Sequence, residues 1–503
     1  MRVPFFVVCA SLSLATAAYS SGPSPLDARG KEIYMRGTGA ITATLDGGVT
    51  RIAASTLPCV NCHGRDGRGR AEGGATPSDI TFASLRRAYA VRTPSGRTHG
   101  PYDDRKLKRA IVRGIDASNN VLDPVMPRYS MSDHDLDALL GYMKHLGREL
   151  DPGVSEKSIR LGVILPPQTT MSGASAETRA VVRAWFDDVN ERGGVFGREI
   201  ELAFIDPDGT PKERADAVRS FLDRSSVFAL VCSFTEGAER ELSAVAEELQ
   251  IPFVATITSN PRSSIAPGRY VRELFAGLAE QSRALIRLAG REQPESKRIA
   301  IIASNIRLTD VRDAAVQESR DNGYGAVDLL DAASVDAAKL RDAGVTTILI
   351  LDPQPLAALL PAMQGSDWKP VLLVPASIAG PDLLAGAPAT SLISFPTLPN
   401  DYSETSIGTH AQLIREHHIG TTHRATQAAA LASAALVTDA LTRAGRDLSR
   451  EALLDAIDRT KAFRSGFAPP LTFRADRHLG STGCYIIAFA PGQPPKPAWV
   501  EIE

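Results

Sequence analysis

The sequence predicts a multidomain chain: a helical first domain followed by a two-lobed α/β fold with parallel sheets covered by helices. Three observations predict it. Residues 19 to 147 combine Gly-rich loops with short helical patterns and show no run of strands. From Ile159 onward, short apolar runs alternate with amphipathic segments at helical spacing, the pattern of βα units. That series restarts at Ile299, and two series make two lobes. At about 100–200 residues per domain, the 503-residue length corresponds to about three units.

Composition narrows the function classes. With 56 Lys+Arg against 58 Asp+Glu, the formal net charge is −2, so neither a nucleic-acid partner nor a polybasic membrane anchor is expected. The hydrophobic fraction of 43% suits folded domains. Five cysteines are too few for a disulfide framework at this length.

Met1-Arg2-Val3, the apolar stretch Pro4 to Ala10 and the small residues Ala15-Thr16-Ala17-Ala18 follow the order of a secretory signal peptide over residues 1–18, cleaved near Ala17 or Ala18. No segment reaches the ~20 apolar residues a membrane span requires. The mature chain is therefore expected in the periplasm, an oxidising compartment. Cleavage removes Cys9 and leaves Cys59, Cys62, Cys232 and Cys484. Whether Cys232 and Cys484 pair stays open, since they belong to distant β elements.

Cys59-Val60-Asn61-Cys62-His63 is a C-x-x-C-H sequence, the attachment signature of c-type haem. Two thiols three residues apart can form thioethers with the macrocycle, and the adjacent imidazole then reaches the iron. A thioredoxin-like pair would follow a strand, which Ser55-Thr56-Leu57-Pro58 does not suggest. A zinc site would need a second Cys/His pair within ~20 residues, and none follows. For the second axial ligand, Met126 and Met131 both lie nearby. Met126 is preferred because Pro127 holds it in extended backbone. Met131 precedes Ser132, a helix N-cap for Asp133 to Leu146, and reads as core filling.

Residues 26–147 resemble a class I monohaem cytochrome c, an all-α domain. The resemblance rests on Gly30-Lys31-Glu32-Ile33-Tyr34, the Cys59 to Gly64 block with Asp66-Gly67 and Gly69, Met126-Pro127, and Leu139-Leu140-Gly141-Tyr142-Met143. It implies one covalent haem c held by Cys59 and Cys62, with His63 proximal and Met126 distal as iron ligands, and one-electron transfer at the haem edge. The 62 residues between His63 and Met126 are a longer middle than the smallest members have.

A polar stretch with Pro152-Gly153 makes residues 148–158 a linker. Beyond it, Ile159 to Leu165 reads as a strand. Val181, Trp185 and Val189 form a helical stripe within Ala174 to Arg192, stopped by Gly193-Gly194. The alternation continues through Glu199 to Ile205, Pro211 to Asp223, Phe228 to Cys232, Glu236 to Leu249 and Pro252 to Thr256. In the second series, Ile299 to Ala303, Thr346 to Leu351 and Pro370 to Val374 read as strands.

Residues 159–503 resemble the type I periplasmic binding proteins of the branched-chain amino acid class. The resemblance rests on Ile159 to Val163, Asn190 to Arg198, Ile205-Asp206-Pro207-Asp208-Gly209, Ile251 to Val254 and Thr258 to Pro261. It implies lobe 1 at about 159–277 and 400–470, lobe 2 at about 278–395 and 471–503, and a small ligand bound between them. It also implies an anion or polar-oxygen site at Ser233, Ile257 and Ser259. The positions that would hold an ammonium group fall at Pro353 and Ala376, with Asp352 close by. Because a buried unpaired cation is costly, the expected ligand lacks an ammonium: a small carboxylate, alcohol or aromatic compound.

Other signals have plainer readings. His410, His417, His418 and His423 suit a solvated helix end better than a metal site, and Asp206 and Asp208 suit a turn. No catalytic residues are indicated. The expectation is a non-enzymatic electron-transfer and ligand-binding protein, serving a periplasmic dehydrogenase such as a quinoprotein, or another cytochrome. The alternative is the substrate-binding protein of an ABC-type importer, docking a permease and carrying an accessory haem.

Overall fold

The computed structural model describes residues 25–45, 49–69, 76–147, 150–168, 173–262, 268–292, 298–303, 308–384, 387–398, 401–490 and 494–502. The expected signal peptide lies outside the described residues. Residues 1–149 and 150–503 separate into two compact units.

The first unit is framed by helices α1 (Pro25–Arg36), α2 (Cys59–His63), α3 (Phe82–Leu85), α4 (Asp104–Arg113) and α5 (Asp133–Met143). Its main contact is α1 against α5. Gly30 makes it possible: a Cβ there would overlap the Ala138 carbonyl. Ile33, Tyr34, Leu136, Leu139 and Leu140 are buried, and the Tyr34 and Tyr142 rings sit 5.5 Å apart. Each such large side chain contributes about 1.5–3 kcal/mol. Ser132 does cap α5, its hydroxyl accepting from Asp135 N–H.

Short strands accompany the helices. Strands β1 (Thr42–Leu45), β2 (Thr50–Ala53) and β5 (Arg128–Ser130) form an antiparallel sheet in the order β2-β1-β5, and β3 (Val91–Arg92) pairs with β4 (Thr98–His99). At two to four residues each, they are too short for alternation to show.

The second unit begins with β6 (Ser158–Ile164), α6 (Ala174–Glu191), β7 (Glu199–Ile205), α7 (Pro211–Arg224), β8 (Ala229–Val231), α8 (Glu239–Leu249), β9 (Phe253–Thr256) and β10 (Val271–Glu273). Its first sheet is parallel, in the order β10-β9-β8-β6-β7. A capping box starts α7: the Thr210 hydroxyl accepts from Glu213 N–H while the Glu213 carboxylate accepts from Thr210 N–H.

The second lobe adds α9 (Leu278–Glu292), β11 (Arg298–Ile302), α10 (Thr309–Asp321), β12 (Ala326–Leu330), α11 (Ala337–Asp342), β13 (Thr347–Ile350), α12 (Leu356–Gln364), β14 (Val371–Pro375), α13 (Pro381–Leu384) and β15 (Ser391–Phe395). The chain then makes α14 (Glu404–Glu416), α15 (Arg424–Ala444) and α16 (Arg450–Asp458), and finishes with β16 (Gly483–Phe489) and β17 (Lys496–Glu501). The second sheet runs β12-β11-β13-β14-β15-β16-β17, parallel through β15 and antiparallel beyond.

Its strands are covered on both faces. Ile299 and Ile301 enter one core while Ala300 and Ile302 enter the other, which explains their unbroken apolar sequence. Helices α14 to α16 pack with the first sheet. Leu471 and Phe473 are fully buried in that same core. No helix of the described residues is long and apolar enough to cross a membrane.

Candidate functional site

The first unit encloses a cavity of about 400 Å³ whose walls include Cys59, Cys62, His63 and Met126, a size typical of cofactor sites. The sequence brings these groups together by local means. Pro58 is extended and begins α2, and Gly64, at φ 73°, ends it. Over that single turn Cys59 and Cys62 share a face. Tyr34 Oη donates to Gly64 O at 2.7 Å, and Tyr129 Oη donates to Leu57 O at 2.7 Å. Both ends of the motif are thereby fixed to other elements.

The protonation states suit haem attachment. Burial pushes the Cys59 thiol up to about 12, so it stays a neutral thiol, unlike the acidic thiols of redox pairs. His63 Nδ1 lies 3.1 Å from the Ser78 carbonyl oxygen. A carbonyl can only accept, so Nδ1 carries the proton and Nε2 keeps its lone pair for a metal. Burial also lowers the His63 pKa, keeping the ring neutral.

Met126 is carried by a loop braced by one guanidinium. Arg128 donates to the carbonyl oxygens of Leu122, at 2.8 Å, and of Met126. Gly114 ends α4 at φ 64°, and a Cβ there would overlap the Arg128 side chain. Met131 packs against the core and is not among the cavity residues.

The cavity has a polar wall that sequence reading missed. Arg97 and His99 reach it from the β3–β4 ribbon. Arg97 is ion-paired with Asp116, which is fully buried. Burial pushes the Asp116 carboxyl up, but hydrogen bonds from Asn120, Arg97 and Ser118 outweigh it and hold it below the usual range. His99 Nδ1 meets the Gly100 carbonyl oxygen at 2.8 Å. The Arg97 guanidinium, which only donates, fits a carboxylate of the kind haem carries, whereas His99 spends its Nδ1–H on the Gly100 carbonyl. No linear signal within the long middle segment pointed to them.

In the second unit, β7 and β8 flank β6, so the first sheet changes direction beside β6. Ligands of such sheets bind outside the strand carboxyl ends at that point, where the chain places Ser233, Ile257 and Ser259. Each is already engaged within the chain. Ser233 is fully buried; its Oγ donates to Val231 O at 2.9 Å and accepts from Ile164 N–H at 3.0 Å. Ile257 N–H donates to Ser233 O at 2.8 Å. Ser259 N–H and Oγ–H donate to the Glu236 carboxylate at 2.7 and 2.6 Å.

Two residues beside this edge have left-handed backbone: Cys232 at φ 49° and Ala255 at φ 54°. Ser433 of α15 clasps both, accepting from Cys232 N–H at 3.1 Å and donating to Ala255 O at 2.8 Å. Strain held this way is typical of functional edges. On the second lobe, Asp352 and Pro353 follow β13 and Ala376 follows β14. The Asp352 carboxylate closes a local turn, accepting from Gln354 N–H at 2.8 Å.

The remaining candidates resolve simply. Cys232 and Cys484 are free thiols buried in separate cores. His410 is buried, its Nε2 at 2.8 Å from Gln427 Oε1, while His417 and His418 are exposed. Among the described residues no cluster of His, Cys, Asp or Glu could hold a metal ion. Asp206 accepts from Ser175 Oγ at 3.1 Å.

Comparisons with known proteins agree with both units. The cytochrome c family model matches residues 49–147, which implies covalently bound haem and electron transfer. Solved structures sharing the second unit's fold include a fatty acid ABC transporter substrate-binding protein from Thermomonospora curvata. It is 20% identical with a TM-score of 0.53, and the match covers 70% of this chain and 94% of that one. A branched chain amino acid ABC transporter from Thermus thermophilus, with bound valine, is 19% identical at a TM-score of 0.53, covering 69% and 97%. No curated protein matches the chain. The periplasmic binding protein model matches residues 158–493, two thirds of the sequence, and the chain belongs to that family.

Proposed function

We propose that the chain is an exported electron-transfer protein with a ligand-binding module. One haem c would be attached through Cys59 and Cys62, with His63 Nε2 and Met126 Sδ as the groups that would ligate its iron. The observation that carries this reading is the convergence of these four side chains on one cavity. The haem supplies a one-electron redox couple. The protein's residues set its conditions: the Ser78 carbonyl fixes the His63 tautomer, Arg128 fixes the Met126 loop, and the Arg97 guanidinium offers hydrogen bonds to a haem carboxylate. A thioether ligand from Met126 would raise the potential relative to a second imidazole.

The second unit binds a small molecule between its lobes, and ligand contacts favour the closed state. We read the protein as an electron carrier and not an enzyme, since His63 and Met126 would together supply both protein ligands to the iron. Its partner is a periplasmic dehydrogenase, of the quinoprotein kind, or another cytochrome that exchanges electrons with it. The order of the first 18 residues supports export.

A second reading is an importer's substrate-binding protein with an accessory haem. What supports it is the shared fold with ABC transporter binding proteins; a permease that binds the ligand-loaded protein would favour it.

The test is expression with haem-attachment machinery, followed by mass spectrometry and absorption spectroscopy. The expected result is one added haem per chain and the long-wavelength band of sulfur-to-ferric-iron ligation, lost in Met126→Ala and kept in Met131→Ala. A chain that gains no haem would remove the redox role.

A further inference from the structure

We propose that Glu236 is an internal stand-in for a ligand carboxylate, so that the second unit refuses carboxylates and takes a ligand that donates hydrogen bonds, an alcohol or an amine. This rests on the reading of that unit as a small-molecule binder.

Two donors of Ser259 converge where the chain leaves β9. Ser259 N–H lies 2.7 Å from Glu236 Oε2 and Ser259 Oγ lies 2.6 Å from Oε1, while the Thr258 hydroxyl beside them gives its one proton to Glu239. A backbone N–H with an adjacent hydroxyl makes a cradle for an oxyanion. It stands at the carboxyl end of the first sheet, near the point where strand order reverses and ligands enter. The chain fills the cradle itself, with a carboxylate from the loop after β8.

That loop is built to present Glu236. The sequence suggests a helix from Glu236, but α8 starts only at Glu239, because Gly237 turns the backbone at φ 75°. Beneath the loop, Arg214 is 4% exposed and donates to the carbonyl oxygens of Glu236 and Phe234. Its Nε has no partner among the described residues. Glu236 itself is only half-buried, so its carboxylate remains within reach of a ligand.

Three consequences follow for recognition. The space a ligand carboxylate would take is filled. A second acid, Glu239, accepts from Thr258 Oγ1 at 2.6 Å, so the neighbouring hydroxyl proton is already taken and an incoming anion finds no donor there. Finally, an ionised carboxylate only accepts hydrogen bonds, and each Glu236 oxygen keeps a lone pair beyond its Ser259 bond. The edge has changed from donor to acceptor, and its complement is an O–H or N–H group.

The test uses the full haem-loaded chain with small carboxylates and the alcohols and amines of the same carbon skeletons, read by calorimetry and thermal shift. Wild type should bind alcohols or amines and show no carboxylate binding. Glu236→Ala should gain carboxylate binding by roughly tenfold or more, the scale of charge-assisted hydrogen bonds. Glu236→Gln keeps the cradle filled and should still refuse carboxylates; if it keeps alcohols and loses amines, the ligand is an amine-type cation. Unliganded melting of both variants verifies folding. Equal carboxylate binding by wild type and Glu236→Ala, or no gain in a folded Glu236→Ala, overturns the inference while leaving the binding module intact. Silence of every compound on every variant overturns the binding reading as well.

Discussion

His478 shows how one side chain can make stability depend on pH. Arg272 of β10 and Asp458 of α16 form an ion pair whose side chains are 1% and 6% exposed. His478 joins it: Arg272 Nη1 lies 3.1 Å from His478 Nδ1, and His478 Nε2 lies 3.1 Å from Ala475 O. The guanidinium can only donate, so Nδ1 is the acceptor and the ring is neutral. Burial first, then the Arg272 charge, lowers the His478 pKa, against the opposing pull of Asp458. The unfolded chain therefore takes up a proton near pH ~6.5 that the folded chain refuses. Stability from this site is present above that pH and lost as pH falls towards the lower folded pKa. Tryptophan-monitored melting of the second unit should decline between pH 7 and 5.5, and His478→Gln, which retains both hydrogen bonds, should flatten the decline. An unchanged slope in the variant would assign the pH dependence elsewhere.

Elements differ in how far the sequence exposes them. The C-x-x-C-H turn is legible because its chemistry lies within five adjacent residues, and strands β8 and β9 are legible because burial on both faces makes them continuously apolar, whereas edge strand β7 shows as Glu199 and Glu201 alternating with apolar residues. Arg97 and His99 were not legible, since tertiary folding alone brings the β3–β4 ribbon to the cavity. Glu236 reads as the start of a helix because its loop has no local mark apart from Gly237. The same holds for the clasp between α15 and the first sheet. Ser433 is fully buried in an Ala- and Leu-rich helix and reads as an ordinary small core residue, yet it bonds two strained strand ends at once. Ser433→Ala leaves the buried Cys232 N–H without this partner. It should destabilise the second unit by about 1–3 kcal/mol, measured as a lower urea midpoint with unchanged slope, and should weaken ligand binding through the loops that follow Cys232 and Ala255. A neutral result would mean the left-handed residues hold without the clasp.

At the scale of the whole molecule, each unit has a core of its own: α1, α4 and α5 enclose one, and the two sheets with their helices build the others. Units with separate cores are expected to unfold separately. The chain provides an internal way to see this. Trp185, Trp368 and Trp499 all belong to the second unit, whereas the haem motif belongs to the first. Haem absorbance thus reports one unit and tryptophan fluorescence reports the other. In urea the two signals should give distinct midpoints, and reducing the haem iron should move the absorbance midpoint, because the Met126 thioether proposed as its ligand would bind ferrous iron more tightly, while leaving the fluorescence midpoint in place. A small molecule bound between the lobes should do the reverse, by mass action on the second unit alone. If either treatment moved both midpoints together, redox state and ligand occupancy would be energetically linked, and the fusion would be a coupled device instead of two functions on one chain.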